Sequence, residues 1–408
     1  MITTFYPPYN FGGDGIFVHR LANELAERGH VIDIIHCQDS YRMLARTEPE
    51  AGYHDHANIT VHGLKSPAGP LSPLATQQTG HHLFKRPRFR QILEQAFDVI
   101  HYHNISLVGG PKILQYGRGV KLYTLHEYWL ICPTHAHFKF NRAVCVQPQC
   151  LACCLIHKRP PQLWRYGNLR DAALRHVDSL IAPSRFSQEL HRRMNINANI
   201  VHIPHFSSRF ESQVNRDAVK ATFNPAASTP YFLFVGRLEK LKGVQTLIPI
   251  FRRYPAAQLW IAGRGTYEAK LRDLAAGSDN IRFLGYQSPY QLRPLYQQAV
   301  AVLVPSIWEE VFGQVILESF QNGTPAIVRN LGGMPELIEE SGGGFIYESE
   351  AELTPMISRL LREPGLRQRL GQSAYQAYCE KWTVEVHLTR YFELINQLSP
   401  KLAQHLPR

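Results

Sequence analysis

The sequence predicts an α/β protein of two doubly wound domains facing across a cleft. Three observations carry that expectation. The chain has 408 residues, and a single hydrophobic core rarely grows past about 250–300 residues. Short apolar runs alternate with text of helical period in the first half, and the alternation restarts in the second. A loop-rich stretch at about 204–230 separates the halves and reads as a linker. Two nucleotide-binding-type domains with a cleft suit a group-transfer enzyme that holds one substrate on each side.

The elements follow in order. "MITTFYPP" is apolar and β-prone and reads as a first strand, broken by "NFGGDG". In "IFVHRLANELAERGH" the residues Phe17, Val18, Leu21, Ala22 and Leu25 recur at helical spacing, with Asp14 expected as N-cap and Gly29 as the stop. "VIDIIHC", "FDVIHYHN", "VKLYTLHEYW" and "VDSLIAPS" are short apolar runs ending in polar or small residues. Buried parallel strands read this way where their C-terminal ends carry function. The second half adds "YFLFVGRL", "AQLWIAG", "NIRFLGY", "VAVLVPS" and "TPAIVRN" as five strands, and "WTVEVHLTRYFELINQL" closes the chain as an amphipathic helix.

Apolar residues make up 44% of the chain, enough for two cores. No apolar run approaches the roughly 20 residues of a membrane span. "MITTFYPPYNFGGDG" has no basic segment followed by an apolar block, so no signal peptide is expected and a soluble cytoplasmic enzyme is. The net charge of +11 fits either a solvated basic surface or attraction to anionic lipid headgroups or an anionic substrate. No basic-aromatic module of the kind that binds RNA is present, so a nucleic-acid partner is not expected.

The second half holds the chemistry. Its strand ends should share one edge of a sheet, where Gly236, Arg237, Gly263, Arg264, Gly285, Tyr286, Ser306 and Asn330 would sit, with Gly332 and Gly333 in a further loop. In isolation Arg237 and Lys242 read as surface cations. Beside four glycine loops they read as a fork of donors and a point charge for a diphosphate, with Tyr286 where backbone groups could hold a base. "EEVFGQVILE" sets Glu310 and Glu318 on either side of a helix start at Phe312, Gly313 and Gln314. Carboxylates repel phosphate but accept hydrogen bonds from sugar hydroxyls. The free N–H groups of the helix start attract it. The spacing therefore suits a nucleotide-sugar, with Glu310 on a hexose, the helix start on the diphosphate and Glu318 on a ribose.

Over nearly its whole length the sequence resembles glycosyltransferase family 4, retaining enzymes of the GT-B fold. The resemblance rests on "YPPYNFGGDGIFVHRLANELAERGHVIDI", "DVIHYHN", "TLHEYW", "IAPSRF", "GRLEKLKG" and "FLGYQ" in order, and on the E-x7-E signature from Glu310 to Glu318. It implies an acceptor domain over 1–205, a nucleotide-sugar donor domain over 206–382, both Rossmann-like, and a terminal helix over 383–408 that crosses back to the first. It implies a UDP-sugar donor, UDP-glucose by family frequency, no catalytic metal and no required cofactor. Arg237 and Lys242 would neutralise the leaving diphosphate. Gly12 and Gly13 would approach the donor phosphate and the acceptor, and His126 the reacting carbon, while His101 and His103 would shape the cleft wall. Transfer would go to a glycan or lipid-linked acceptor in cell-envelope or extracellular polysaccharide synthesis, and the basic charge is consistent with an enzyme peripheral on the inner face of the membrane. One departure is "IPHF", with His205 where the family often has asparagine. A UDP-sugar 2-epimerase of the same architecture, or a non-catalytic thiol-metal protein on this scaffold, are the alternatives.

A second departure is an insert at about 132–165. "CPTHAHFKFNRAVCVQPQCLACC" carries Cys132, Cys145, Cys150, Cys153 and Cys154. Cys150 and Cys153 form a C-x2-C pair that Cys132 and Cys145 could complete to four zinc ligands. A reduced thiol cluster or a redox-labile pair remain open. Cys37 and Cys379 are isolated and read as packing residues.

Overall fold

The computed structural model describes residues 1–45, 48–49, 52–207 and 229–402. Most of the linker expected at 204–230 lies outside the described residues. Two compact units emerge: Met1–Pro204 with Leu388–Arg408, and His205–His387.

In the first unit, strands β1 (Ile32–Cys37) and β2 (Ile59–Leu64) pair in parallel. So do β3 (Val99–Tyr102), β4 (Val120–Thr124), β7 (Ser179–Ala182) and β8 (Ile200–His202), in that order. Residues 1–4 run between β1 and β3. Ile2 bridges both Ile35 and Tyr102, and its N–H donates to the His101 carbonyl at 2.9 Å while the Thr3 N–H donates to Ile35 at 3.0 Å. The resulting order, with residues 1–4 counted first, is 3-2-1-4-5-6-7, the doubly wound pattern with its switch point between the first and fourth members. The expected first strand is thus present as single bridges only. Pro7 and Pro8 follow at once, and proline has no N–H to extend a ladder.

The first helix runs Gly13–Glu27. Its N-cap is Gly12, not the expected Asp14, which sits in the first turn with Oδ1 accepting from the Gly15 N–H at 2.9 Å. Gly29 does close the helix, at φ 89°, where a side chain would be strained. Between β4 and β7 the insert folds as an antiparallel pair, β5 (Phe138–Lys139) and β6 (Ala143–Val144), followed by the helix Cys150–Ile156.

The second unit has one parallel sheet of six strands: β9 (Tyr231–Val235), β10 (Gln258–Ala262), β11 (Ile281–Gly285), β12 (Val302–Val304), β13 (Ala326–Arg329) and β14 (Gly344–Tyr347). Their order, β11-β10-β9-β12-β13-β14, is again 3-2-1-4-5-6. Alternation along the strands feeds two cores. Phe232, Phe234, Leu259, Ile261 and Leu303 face one side with Leu247, Phe251 and Leu353. Tyr231, Leu233, Trp260, Val302 and Val304 face the other with Tyr296, Ile316 and Phe320. Each such side chain contributes about 1.5–3 kcal/mol through burial. With both faces covered, the strands read as continuous apolar runs.

Candidate active site

The carboxyl ends of β9 and β12 lie side by side at the switch point of the second unit, where doubly wound sheets bind ligands. The loops there are fastened to one another. The Gly236 N–H donates to Ala262 at 3.0 Å, Leu238 to Arg264 at 2.9 Å and Gly263 to Gly285 at 2.7 Å. A Cβ on Gly263 would run into the Gly236 carbonyl. The turn Lys240–Lys242 ends at Gly243, φ 75°, whose missing side chain lets the backbone rest on the Pro305 carbonyl. Ile307 N–H then donates to Leu241 at 2.9 Å.

These constraints bring Lys242, Ser306 and Glu310 together. Glu310 Oε1 accepts from Lys242 Nζ at 2.6 Å and from Ser306 Oγ at 2.6 Å. The carboxylate is buried at 8% exposure. Burial by itself raises its pKa; the Lys242 ammonium and the Ser306 hydroxyl outweigh that and hold it below the usual carboxylate range. The Lys242 ammonium also lies 5.6 Å from the Trp308 ring centroid. From beneath, Gly333 N–H donates to the Glu310 carbonyl at 2.8 Å, and Gly332, at φ 67°, passes so close that a Cβ would strike the Glu310 backbone.

Gly313, φ 105°, caps the helix Gln314–Gln321. Glu318, half-buried on that helix, accepts from the Tyr296 hydroxyl at 2.9 Å. Gln314 Nε2 donates to the Phe206 carbonyl at 2.7 Å, and the His205 ring meets Phe312 edge-on at 5.3 Å. Arg237 and Arg264 are exposed, and so is Tyr286. Sequence reasoning placed Lys242 and Glu310 on different parts of a ligand and missed that they pair. They are 68 residues apart, and the close approaches of Gly243 to Pro305 and of Gly332 to the Glu310 backbone join them. Tyr296, the partner of Glu318, left no signal in the sequence beyond its helical position.

The first unit gathers its own set at its switch point. His103 Nδ1 and His126 Nε2 are 2.9 Å apart, and the His126 ring lies 5.3 Å from Phe17. His101 bonds Thr124 Oγ1 at 2.8 Å and the Tyr391 hydroxyl at 3.2 Å. His101 and His103 are buried. Asn104 Nδ2 donates to Asp14 Oδ2 at 3.2 Å, tying the end of β3 to the glycine loop. A Cβ on Gly13 would meet nothing within 4 Å, and one on Gly12 only Asp14, so packing alone does not demand glycine at either position.

Glu127 fixes the segment after His126 to the insert: its Oε2 accepts from the Trp129 N–H at 2.6 Å and lies 3.0 Å from His135 Nδ1. Arg165 is wedged between Trp129 and Trp164, its guanidinium 5.2 and 4.5 Å from their ring centroids. Within the insert all the cysteines are free thiols. Burial pushes the Cys145 thiol up to about 11, and Cys150 and Cys154 upward too. Phe140 N–H approaches Cys153 Sγ at 3.5 Å. Among the described residues no three His, Cys, Asp or Glu side chains gather in a group that could hold a metal ion, so the four-cysteine zinc set is not assembled here.

Comparison with known proteins gives the family. Residues 11–206 match the model "Glycosyltransferase Family 4" and residues 215–377 match "Glycosyl transferases group 1". Glycogen synthase of Mycobacterium tuberculosis is 27% identical over 403 residues, 92% of this chain and 89% of that protein. The uncharacterized glycosyltransferase MJ1607 of Methanocaldococcus jannaschii is 34% identical over 159 residues, 37% of this chain and only 40% of that protein's length. Among solved structures, sucrose-phosphate synthase from Thermosynechococcus elongatus superposes with a TM-score of 0.75 at 20% identity, over 97% of this chain and 98% of that one. Anabaena Alr3699/HepE, solved in complex with UDP and glucose, gives 0.66 at 18% identity, over 97% and 98%. These structural likenesses speak for the fold alone, two Rossmann-like domains of the GT-B type. The family models speak for descent, and both halves agree: the chain belongs to family 4 of the glycosyltransferases.

Proposed function

We propose that the chain is a retaining, metal-independent hexosyltransferase. It takes a sugar from a UDP-sugar, UDP-glucose first, and passes it to a glycan or lipid-linked acceptor in cell-envelope or extracellular polysaccharide synthesis. It works in the cytoplasm, peripheral on the inner face of the membrane. No helix among the described residues is long and apolar enough to cross a bilayer.

The observation that carries the reading is the Lys242–Glu310–Ser306 set at the switch point of the second unit, with Glu310 and Ser306 buried. As the sugar C1–oxygen bond to the diphosphate breaks, charge grows on the departing phosphate. Lys242 has three donors and Glu310 engages one, leaving the others for phosphate oxygens. Exposed Arg237 adds a second cation, and fixed cations there stabilise the transition state electrostatically. Glu310, kept ionised by its partners, accepts from a hexose hydroxyl. Glu318 accepts from the ribose, the backbone at Phe312, Gly313 and Gln314 meets the diphosphate, and Gly236, Gly263 and Tyr286 line the nucleotide. The reading assigns Gly12 and Gly13 to the approach of the donor phosphate, which suits glycines with open space above them, and His126 to the reacting carbon. Retention follows if the acceptor oxygen bonds C1 from the leaving-group side while its proton passes to the departing phosphate oxygen. Support for UDP-glucose is that the Anabaena protein of the same fold has also been solved in complex with UDP-glucose.

Incubation with a panel of nucleotide-sugars tests this. Slow release of free sugar and nucleotide from one of them, lost in Lys242→Ala and Glu310→Ala, is the expected result. Full activity in either variant would overturn the site, and interconversion of two UDP-sugars would make the chain an epimerase.

A further inference from the structure

The basic excess of this chain is concentrated. Residues 65–175 hold fifteen Lys or Arg against four Asp or Glu, a surplus equal to the +11 of the whole molecule. The same stretch carries ten of the seventeen large apolar side chains that stand exposed among the described residues. Both excesses therefore fall within the first unit, although Lys85 and Lys121 of that stretch are buried.

Three adjoining elements build the centre of this surface. The helix Leu71–Thr79 packs on the turn Leu83–Lys85 and on the turn Leu163–Tyr166. Trp164 Nε1 fastens the last contact by donating to the Gln77 carbonyl at 2.9 Å. From these elements Leu71, Leu83, Phe84, Leu163 and Tyr166 each leave half or more of their surface to solvent. The helix Arg86–Leu93 continues from the second turn. It buries Phe89, Ile92 and Leu93 and turns Arg86, Arg88 and Arg90 outward. Exposed Leu83 and Phe84 thus stand directly before three exposed guanidinium groups.

We propose that this face of the first unit docks on an anionic lipid bilayer. The leucine and aromatic tips enter the headgroup–acyl boundary, and Arg86, Arg88 and Arg90 lie at the level of the lipid phosphates. A lipid surface offers both chemistries the face presents, apolar depth and negative charge. A second copy of this chain does not: twofold association sets a patch against itself and would bring the surplus cations together. A nucleic acid satisfies the arginines but gives Leu71, Leu83 and Leu163 nothing to enter.

The proposal rests on the membrane placement proposed above and names the surface responsible; binding is measured on the full chain without a sugar donor, so its failure is distinct from a failure of the transferase chemistry. Co-flotation with phosphatidylglycerol vesicles, with pure phosphatidylcholine vesicles as the comparison, is the test. The chain is expected to float with phosphatidylglycerol and far less with phosphatidylcholine, and salt should release it. Replacing Arg86, Arg88 and Arg90 by serine should weaken partitioning about a hundredfold, from roughly fivefold per basic residue. Leu83→Ser with Phe84→Ser should weaken it on both vesicle types. All five residues are exposed, so thermal melts and donor hydrolysis should stay at wild-type values in both variants. Absence of flotation, equal flotation on the two lipids, or variants that bind as wild type would each overturn it. So would light scattering that shows a dimer dissociated by Leu83→Ser with Phe84→Ser, since the face would then be a self-contact.

Discussion

Glu310 is a carboxylate with little access to water, and its charge survives because Lys242 and Ser306 lie 2.6 Å from one of its oxygens. Its pKa in the folded chain is below the ordinary value. The unfolded state therefore takes up the proton first as pH falls. The stabilisation is complete above about pH 4.5 and is lost as the pH drops through the folded value. Removing the cation reverses this balance, since burial then acts unopposed. Lys242→Ala should destabilise the second unit by about 3–5 kcal/mol at neutral pH, and lowering the pH toward 5 should recover part of that loss as Glu310 protonates. Urea unfolding at neutral and mildly acidic pH measures it. A variant whose stability loss is the same at both would show that the pair is not the source. The sequence supplied both residues and the strand ends that carry them. It did not supply the pair, because contact between residues 242 and 310 depends on two glycine approaches that no local pattern encodes.

At the scale of elements, helices and most strands were legible and several edge strands were not. The five strand runs read in the second half are all strands; four lie inside the sheet, where a strand covered on both faces is apolar throughout, and the edge strand Ile281–Gly285 keeps enough apolar residues to be read. Gly344–Tyr347, at the edge of that sheet, and Ile59–Leu64, at the edge of the other, escaped notice. Both are partly solvent-facing, and their apolar residues are diluted by glycine, threonine and histidine. The loop 306–313 was legible as chemistry but not as a shape. Its form depends on Gly332, which has φ 67° and no room for a Cβ beside the Glu310 backbone. Gly332→Ala should cost about 1–2 kcal/mol for the left-handed conformation alone and displace Glu310. Its expected signature is a loss of UDP-sugar binding much larger than the fall in melting temperature. Wild-type affinity in that variant would mean the loop is not held from below. The cysteine insert shows the opposite case. A spacing suggestive of zinc was plain in the sequence, while the fold leaves free thiols in a segment fastened by Glu127 to His135 and by Arg165 to the Trp129 carbonyl.

For the whole molecule, two doubly wound units of like strand order carry different ionisable cores. His36, His82 and His191, all in the first unit, are buried and held neutral, with pKa values pushed down to about 4 by loss of water. Each stabilises fully above its unfolded value near 6.5, and the contribution, up to about 3 kcal/mol apiece, is lost as the pH falls from there toward 4. Hydrogen exchange at pH 7 and pH 5 should show the first unit losing protection before the second; the reverse order would contradict this assignment. The same division of labour frames the central claim, that Glu310 and Glu318 of the second unit measure out a nucleotide-sugar between them. Calorimetric titration of the wild type, Glu310→Ala and Glu318→Ala with UDP and UDP-glucose tests it most directly. The expected result is that UDP-glucose binds the wild type more tightly than UDP does, that Glu310→Ala abolishes this difference while still binding UDP, and that Glu318→Ala weakens both ligands equally. A wild type that binds neither ligand, or a Glu310→Ala variant that keeps the full preference for UDP-glucose, would contradict it.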